Sequence, residues 1–336
     1  MRWLSDDAVA RLRDACSELE LSGTPYRMLD RLGRGGMGTV YLVGDSRLNR
    51  RVAMKVLDLT DSNGDLEARL LREARILAQL EHPGIVPVHD VGKLADGRTF
   101  YTMKFVQGQR LDEIARELSS STERLRLFQK ICEPVAFAHS LGVLHRDLKP
   151  ENVMVGPFGE VLVMDWGIAK VLAGSAESPP AGGATEGTST DSESAVKAPP
   201  ETAHGAVVGT PGYMAPEQAR GEIARLDQRA DIFSLGEILK FLSSGSSSGA
   251  AVANRLPRRL SAIVAKATAS APGGRYASAQ DLANEISAYL DGFPVSAYPE
   301  RLLDRTARLI SRNRVAIVLV LAYLLARVLL IFWRPH

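Results

Sequence analysis

Apolar residues fall along this chain in two periods, and the switch between them marks its first elements. Tyr26 to Leu32, Thr39 to Val43 and Val52 to Leu57 are short apolar-rich blocks that predict three strands. Leu66, Leu70, Leu77 and Leu80 then recur at helical spacing, so 66–80 predicts an amphipathic helix with Arg69, Arg72 and Arg75 in water. Val153-Met154-Val155 and Val161-Leu162-Val163-Met164 flank Gly156-Pro157-Phe158-Gly159, the pattern of two short strands joined by a turn. Ile232 to Leu242 reads as an apolar helix, and Val315 to Trp333 is apolar except for Arg327. Met1 to Leu21 carries Asp6, Asp7, Asp14, Glu18 and Glu20 and reads as a short amphipathic helix, not a signal peptide.

Polar residues inside these patterns carry the chemical information. Lys55 stands alone among apolar strand neighbours, where an unpaired ammonium is unfavourable. Glu73 falls inside the leucine stripe, three after Leu70 and four before Leu77, and so faces inward. An ion pair between them satisfies both; the plainer alternative leaves Glu73 on the water side of a charged helix. Gly33, Gly35 and Gly38 sit at a β-turn-β corner, where backbone amides can lie over phosphates. A dinucleotide fingerprint needs a helix directly after its glycines, and none is signalled.

The run His145-Arg146-Asp147-Leu148-Lys149-Pro150-Glu151-Asn152 is followed, thirteen residues after Asn152, by Asp165-Trp166-Gly167. A γ-phosphoryl group in transfer needs its charge neutralised by metal and lysine, and a base beside the incoming hydroxyl. Asp147 is the candidate base. Lys149, two residues on, points the same way along an extended loop and reaches toward the transferring phosphate. Asn152 and Asp165 offer hard oxygen ligands to Mg2+, which keeps several waters and takes few protein donors. The predicted hairpin brings these two together. A solvated charged loop is the bland reading of such residues; eight matching positions and a second matching tripeptide disfavour it.

On these motifs the chain resembles a eukaryotic-type (Hanks-type) serine/threonine protein kinase of the bacterial membrane-anchored branch, from about Tyr26 to Asp291. The resemblance implies an α+β, two-lobed kinase fold, with a β-rich small lobe over 26–104, a helical large lobe over 105–291 and ATP in the cleft between them. By position, Leu32, Gly33, Gly35, Gly36, Gly38 and Val40 match the phosphate-covering loop and its flanks. Ala53 matches the adenine ceiling, Met103 the gatekeeper, and Lys104, Phe105 and Val106 the hinge whose backbone binds adenine. Lys55 with Glu73 matches the pair that holds the α- and β-phosphates. Asp147 matches the catalytic aspartate, and Asn152 and Asp165 the magnesium ligands, with Mn2+ as a substitute. Gly209 to Glu217 matches the end of the activation segment, with Glu217 paired to Arg275; Asp231 matches the brace of the catalytic loop.

Serine/threonine specificity is implied by Lys149 and Thr210. Arg146, taken as an exposed cation beside the base, implies control by a phosphate on the activation segment. Thr202 is the first candidate for that phosphate, and a dimer is the route to autophosphorylation in trans. Three departures stand out. Trp166 replaces the family's usual phenylalanine, which changes packing more than catalysis. The stretch 173–206 lacks aromatic residues and reads as a disordered insert in the activation segment. Ser243 to Gly249 reads as a flexible link where the family builds a further helix for docking substrates.

Composition narrows the partners. A net charge of +2 over 336 residues, with basic residues scattered, gives no case for nucleic acid. Cys16 and Cys132 are far apart and lack metal-ligand spacing, which suits a reducing compartment. Five arginines, at 301, 305, 308, 312 and 314, lie in a basic linker (292–314) before the apolar segment 315–333. That segment is long enough as a helix to cross a hydrocarbon core, and the charge excess predicts a cytoplasmic kinase domain. The expectation is a single-pass anchor in the cell (inner or plasma) membrane, with no sensor domain beyond it. Arg327 opposes insertion by roughly 2.5 kcal/mol or more, and a buried or interfacial amphipathic helix is the alternative, although no regular polar face supports it. Protein substrates are expected. An inactive, membrane-tethered scaffold is disfavoured by the complete catalytic set, and a small-molecule phosphotransferase by the segment Gly209 to Glu217.

Overall fold

The computed structural model describes residues 19–35, 38–57, 65–166, 170–171, 212–222, 225–244, 256–299 and 314–332. Strands β1 (Tyr26–Gly35), β2 (Gly38–Asp45) and β3 (Arg50–Leu57) form an antiparallel meander. Helix α1 (Asp65–Gln79) follows, then β4 (Val88–Lys93) and β5 (Thr99–Lys104), which complete a five-stranded sheet in the order β1-β2-β3-β5-β4.

The two-residue period of a strand sorts this sheet into faces. Val52, Met54 and Val56 pack with Phe100 in an outer cluster. Ala53 and Leu57 pack with Tyr101, Met103 and the α1 residues Leu70, Ala74 and Leu77 in the main core. Lys55, between Met54 and Val56, is thereby aimed at α1.

The expected N-terminal helix does not reach Leu21. Residues 1–18 lie outside the described residues, and 19–25 form turns and irregular chain. Leu19 is buried in the outer cluster with Tyr26, Val43 and Phe100. A turn closed by Thr24 Oγ1 donating to Leu21 O at 2.7 Å, then Gly23 at φ +79°, directs the chain onto the sheet instead of continuing a helix.

The large lobe opens with β6 (Gln109–Arg110), α2 (Leu111–Glu117) and α3 (Ser121–Ser140), the last capped by Ser120, whose side chain accepts from the Glu123 amide. Short strands β7 (Val143–Leu144), β8 (Val153–Val155), β9 (Val161–Val163) and β10 (Lys170–Val171) surround a 3-10 turn at Pro150–Asn152. Helices α4 (Pro216–Ala219), α5 (Arg229–Ser244), α6 (Arg258–Ala267) and α7 (Ala279–Leu290) complete the lobe, and α8 (Arg314–Phe332) follows. Phe128, Ile131 and Val135 of α3 share the main core with Ile232, Leu235 and Leu239 of α5.

Two boundaries differ from expectation. Ser243 and Ser244 belong to α5, where Ser244 Oγ back-bonds to Lys240 O at 2.7 Å. The core also continues past Asp291 to Val295, after Phe293 N–H donates to Ala288 O at 2.7 Å. The insert 173–206 and the remainder of the link after Ser244 lie outside the described residues. Side chains of α8 are described for 318–327 alone, and among the described residues no helix is long and apolar enough to cross a membrane.

Candidate active site

β3 and α1 bring Lys55 and Glu73 together. Lys55 Nζ lies 2.8 Å from both carboxylate oxygens of Glu73, whose residue is 2% exposed. The leucine stripe thus carries Glu73 inward, while Arg69, Arg72 and Arg75 are exposed. Lys55 Nζ also sits 3.8 Å from Asp165 Oδ1, so one ammonium links helix α1 to the residue after β9. Glu73 has a second donor that sequence reasoning missed: Tyr101 Oη donates to Glu73 Oε1 at 2.9 Å. Burial and then the charge of Glu73 raise the Tyr101 pKa, so the phenol stays protonated as a donor.

The catalytic loop hangs from a buried carboxylate. Asp231 lies in the first turn of α5, fully buried, and accepts from the His145 amide, the Arg146 amide and His139 Nε2, each at 2.8 Å. Burial alone would raise its pKa; the hydrogen bonds from His139 and the Arg146 amide outweigh burial and hold it below the ordinary carboxylate value. Arg146 adopts φ 71° and Asp165 φ 58°, left-handed conformations that cost non-glycine residues on the order of 1–2 kcal/mol. The Asp231 hydrogen bonds supply the compensation at Arg146.

Held this way, Asp147 meets its neighbours directly. Lys149 Nζ lies 2.8 Å from Asp147 Oδ2, and Asn152 Nδ2 donates to Asp147 O at 2.8 Å and to Oδ2 at 3.2 Å. The amide of Met164 donates to Asn152 O at 2.8 Å, so the β8–β9 hairpin joins Asn152 to the approach of Asp165 as its sequence pattern predicts. Val163 N–H also donates to Gly84 O at 2.8 Å, tying the chain after α1 to β9. His145 accepts from the Asp147 amide at Nδ1, 3.3 Å, and contacts Met164 O through Nε2, 2.9 Å, which fixes the Nε2–H tautomer. Trp166, 1% exposed, packs on that imidazole with ring centroids 4.5 Å apart.

Arg146 corrects one expectation: it is buried, 8% exposed, not an exposed cation. Gln218 of α4 covers it, with Nε2 donating to Arg146 O at 2.6 Å, and burial lowers its pKa against the pull of Asp231. Glu217 and Arg275 pair as expected, at 2.6 and 2.8 Å. Thr202 and Thr210 lie outside the described residues.

The roof of the cleft comes from the sheet. Ala53 and Met103 face each other across β3 and β5 and are both buried; Phe105 and Val106 follow β5 half-buried, and Val40 is half-buried on β2. Leu32 and Gly33 are exposed at the end of β1, Gly35 pairs with Gly38, and Gly36 lies outside the described residues. A Cβ at Gly38 would meet Val56 O at 2.1 Å, so the close approach of β2 to β3 demands glycine there.

No cluster of three or more His, Cys, Asp or Glu forms a metal cage among the described residues. The donors present are of another kind. The Asn152 nitrogen is committed to Asp147, which leaves its carbonyl oxygen as the acceptor, and the Asp165 side chain is 53% exposed. Two such oxygens fit Mg2+, which retains most of its waters.

A β-sheet lobe and a helical lobe with a strand lysine, a helix glutamate and a loop aspartate at their junction define the protein kinase class. Residues 26–255 match the family model described as the protein kinase domain, and the chain belongs to that family, in its Hanks-type serine/threonine class. It is 35% identical over 305 residues to the serine/threonine-protein kinase PknD of Protochlamydia amoebophila, covering 80% of this chain and 30% of that protein. It is 37% identical over 307 residues to PknD of Chlamydia muridarum, covering 80% and 32%. The chain therefore spans about a third of the length of these curated relatives. The crystal structure of the Mycobacterium tuberculosis PknI kinase domain shares the fold, with a TM-score of 0.54 at 24% identity over 80% of this chain and 98% of that one. Helices α6 and α7 lie beyond the matched residues yet belong to the same core.

Proposed function

We propose that this domain transfers the γ-phosphoryl group of ATP to serine or threonine hydroxyls of protein substrates. The carrying observation is a pair of polar clusters, Lys55 with Glu73 and Asp165, and Asp147 with Lys149 and Asn152, joined by the β8–β9 hairpin. Lys55, fixed by Glu73, neutralises the α- and β-phosphates. Asp147 orients the substrate hydroxyl and accepts its proton, while Lys149 shields the charge of the moving group. Asn152 and Asp165 would hold Mg2+, which supplies charge neutralisation at the phosphates when bound. Ala53, Met103 and the hinge at Phe105 and Val106 enclose the adenine, under Leu32, Val40 and the glycines 33, 35, 36 and 38.

Control by autophosphorylation within 173–211, in trans through a dimer, is part of this reading, supported by the density of Ser and Thr there. So is membrane attachment through α8 with the kinase on the cytoplasmic side. Val318, Leu319, Val320, Leu321, Leu324 and Leu325 are each 49–65% exposed, so no face of that stretch is covered, and five arginines precede it.

The deciding experiment compares incorporation of labelled phosphate from ATP by the wild type and by Asp147→Asn, on protein and on small-molecule acceptors. Label in protein for the wild type and none for the variant is the expected result. Equal label in both would leave a scaffold, and label on a metabolite but never on protein would leave a small-molecule phosphotransferase.

A further inference from the structure

We propose that Tyr101 is a positioning residue for phosphoryl transfer, its hydroxyl holding the Glu73 carboxylate in the orientation that engages Lys55. This rests on the phosphoryl-transfer reading above and adds a member to that site.

The sheet register makes the arrangement. Lys55 on β3 and Tyr101 on β5 are direct cross-strand partners, so both side chains leave the sheet toward α1. Glu73 descends from α1 between them, receiving Lys55 on both oxygens at 2.8 Å and Tyr101 on Oε1 at 2.9 Å. Lys55 Nζ also lies 5.9 Å from the Tyr101 ring centroid. Three side chains from three elements thus form one closed polar cluster in an otherwise apolar core.

The two donors are not equivalent. Lys55 is shared, with Asp165 Oδ1 at 3.8 Å on its other side, and must also meet nucleotide phosphates. Tyr101 is 2% exposed and points its hydroxyl at Glu73. When Lys55 turns toward phosphate, Tyr101 keeps the buried carboxylate supplied with a donor and α1 in place. Packing alone does not explain a tyrosine here. A phenylalanine fills the same apolar space without bringing a hydroxyl that needs a partner.

Tyr101→Phe removes that single oxygen and keeps the ring, so the fold is preserved, which a thermal melt verifies. The expected result is a kcat lowered by about tenfold, the size of one lost hydrogen bond to a charged group, with the KM for ATP changed less than about threefold. In a Glu73→Ala background the same substitution adds less than about twofold, because its partner is gone. A kcat equal to wild type, or the same tenfold loss in both backgrounds, overturns the proposal. Hydrogen exchange supplies a readout independent of turnover. Faster exchange along Asp65–Gln79 in Tyr101→Phe, with β5 unchanged, supports the role, and unchanged α1 exchange removes it. Should the wild type itself fail to transfer phosphate, the functional reading fails, while the exchange result still decides whether Tyr101 positions Glu73.

Discussion

Arg275 holds Glu217 through a parallel fork, Nη1 to Oε1 at 2.6 Å and Nη2 to Oε2 at 2.8 Å, with the arginine side chain 0% exposed. The remaining donors of Arg275 reach the carbonyls of Ala269, Ser270 and Arg229 at 2.7–3.1 Å. One guanidinium therefore joins the end of the activation segment to the chain after α6 and to the start of α5. Arg275→Ala leaves the Glu217 carboxylate buried without its counter-charge and costs about 3–5 kcal/mol. Urea unfolding monitored by tryptophan fluorescence measures this. Replacing both partners, Arg275→Met with Glu217→Leu, recovers much of the loss, and a double variant as unstable as Arg275→Ala would contradict the burial argument.

Asp231 gives the large lobe a defined acid sensitivity. Its folded-state pKa is lowered, so its contribution to stability is fully present above the unfolded carboxylate value near about 3.9 and is lost as pH falls through the folded value. Asp231→Asn abolishes that contribution and leaves three donors, from His139, His145 and Arg146, facing a neutral amide. The variant is less stable than wild type at pH 7 by about 3 kcal/mol, and the gap narrows below about pH 4. Unfolding midpoints at pH 7 and pH 3.5 check both parts; a gap of the same size at the two pH values would show that Asp231 acts through shape, not charge.

What could be read from the sequence follows from how local each signal is. Lys55 and Glu73 are legible because each violates the apolar period of its own element, and the structure joins them at 2.8 Å. Asp147, Asn152 and Asp165 are legible because one loop and one hairpin carry all three. Tyr101 is not, since a tyrosine inside Thr99–Lys104 fits an ordinary apolar strand, and its partner depends on the β3–β5 register. His139 is hidden for the same reason: it sits in the last turn of α3, and its meaning comes from Asp231, 92 residues later. Burial of Arg146 is hidden too, since it comes with contacts such as the Gln218 hydrogen bond to its carbonyl, 72 residues away, which no spacing announces. Leu19 likewise finds its partners in strands, so the helical pattern does not extend to it.

Trp166 predicts a substitution that affects stability more than rate. Its indole Nε1 donates to Val163 O at 3.3 Å, and its ring packs against the His145 imidazole. Trp166→Phe restores the residue the family usually carries here but empties part of a filled site, at a cost of about 1–2 kcal/mol. A thermal midpoint lowered by a few degrees, roughly 2–4 °C per kcal/mol for a domain of this size, is expected, with kcat within about threefold of wild type. A kcat collapse without loss of stability would place the indole in the catalytic step.

Helix α8 predicts the behaviour of the whole chain in a cell extract. Its 19 residues rise about 28 Å at 1.5 Å each, and the proposed attachment is the part of the reading that the fold leaves to experiment. Exposure of Val318 to Leu321 and again of Tyr323 to Leu325 runs around the full circumference of the helix, the surface that the proposed attachment would cover with lipid. Arg327 is exposed and lies toward the far end, where its long side chain can reach headgroups. Expressed whole, the protein is expected in the membrane fraction and resistant to extraction by carbonate. Deleting 314–336 is expected to release it while leaving phosphate transfer to a soluble substrate unchanged, and Arg327→Leu to retain it at least as firmly, since the cost of inserting the arginine, less than the roughly 2.5–3.5 kcal/mol of a helix-centre position, is removed. Release of the wild type by carbonate would instead mean that α8 lies along the surface of the bilayer, and a soluble full-length chain would mean that its apolar circumference is covered by protein.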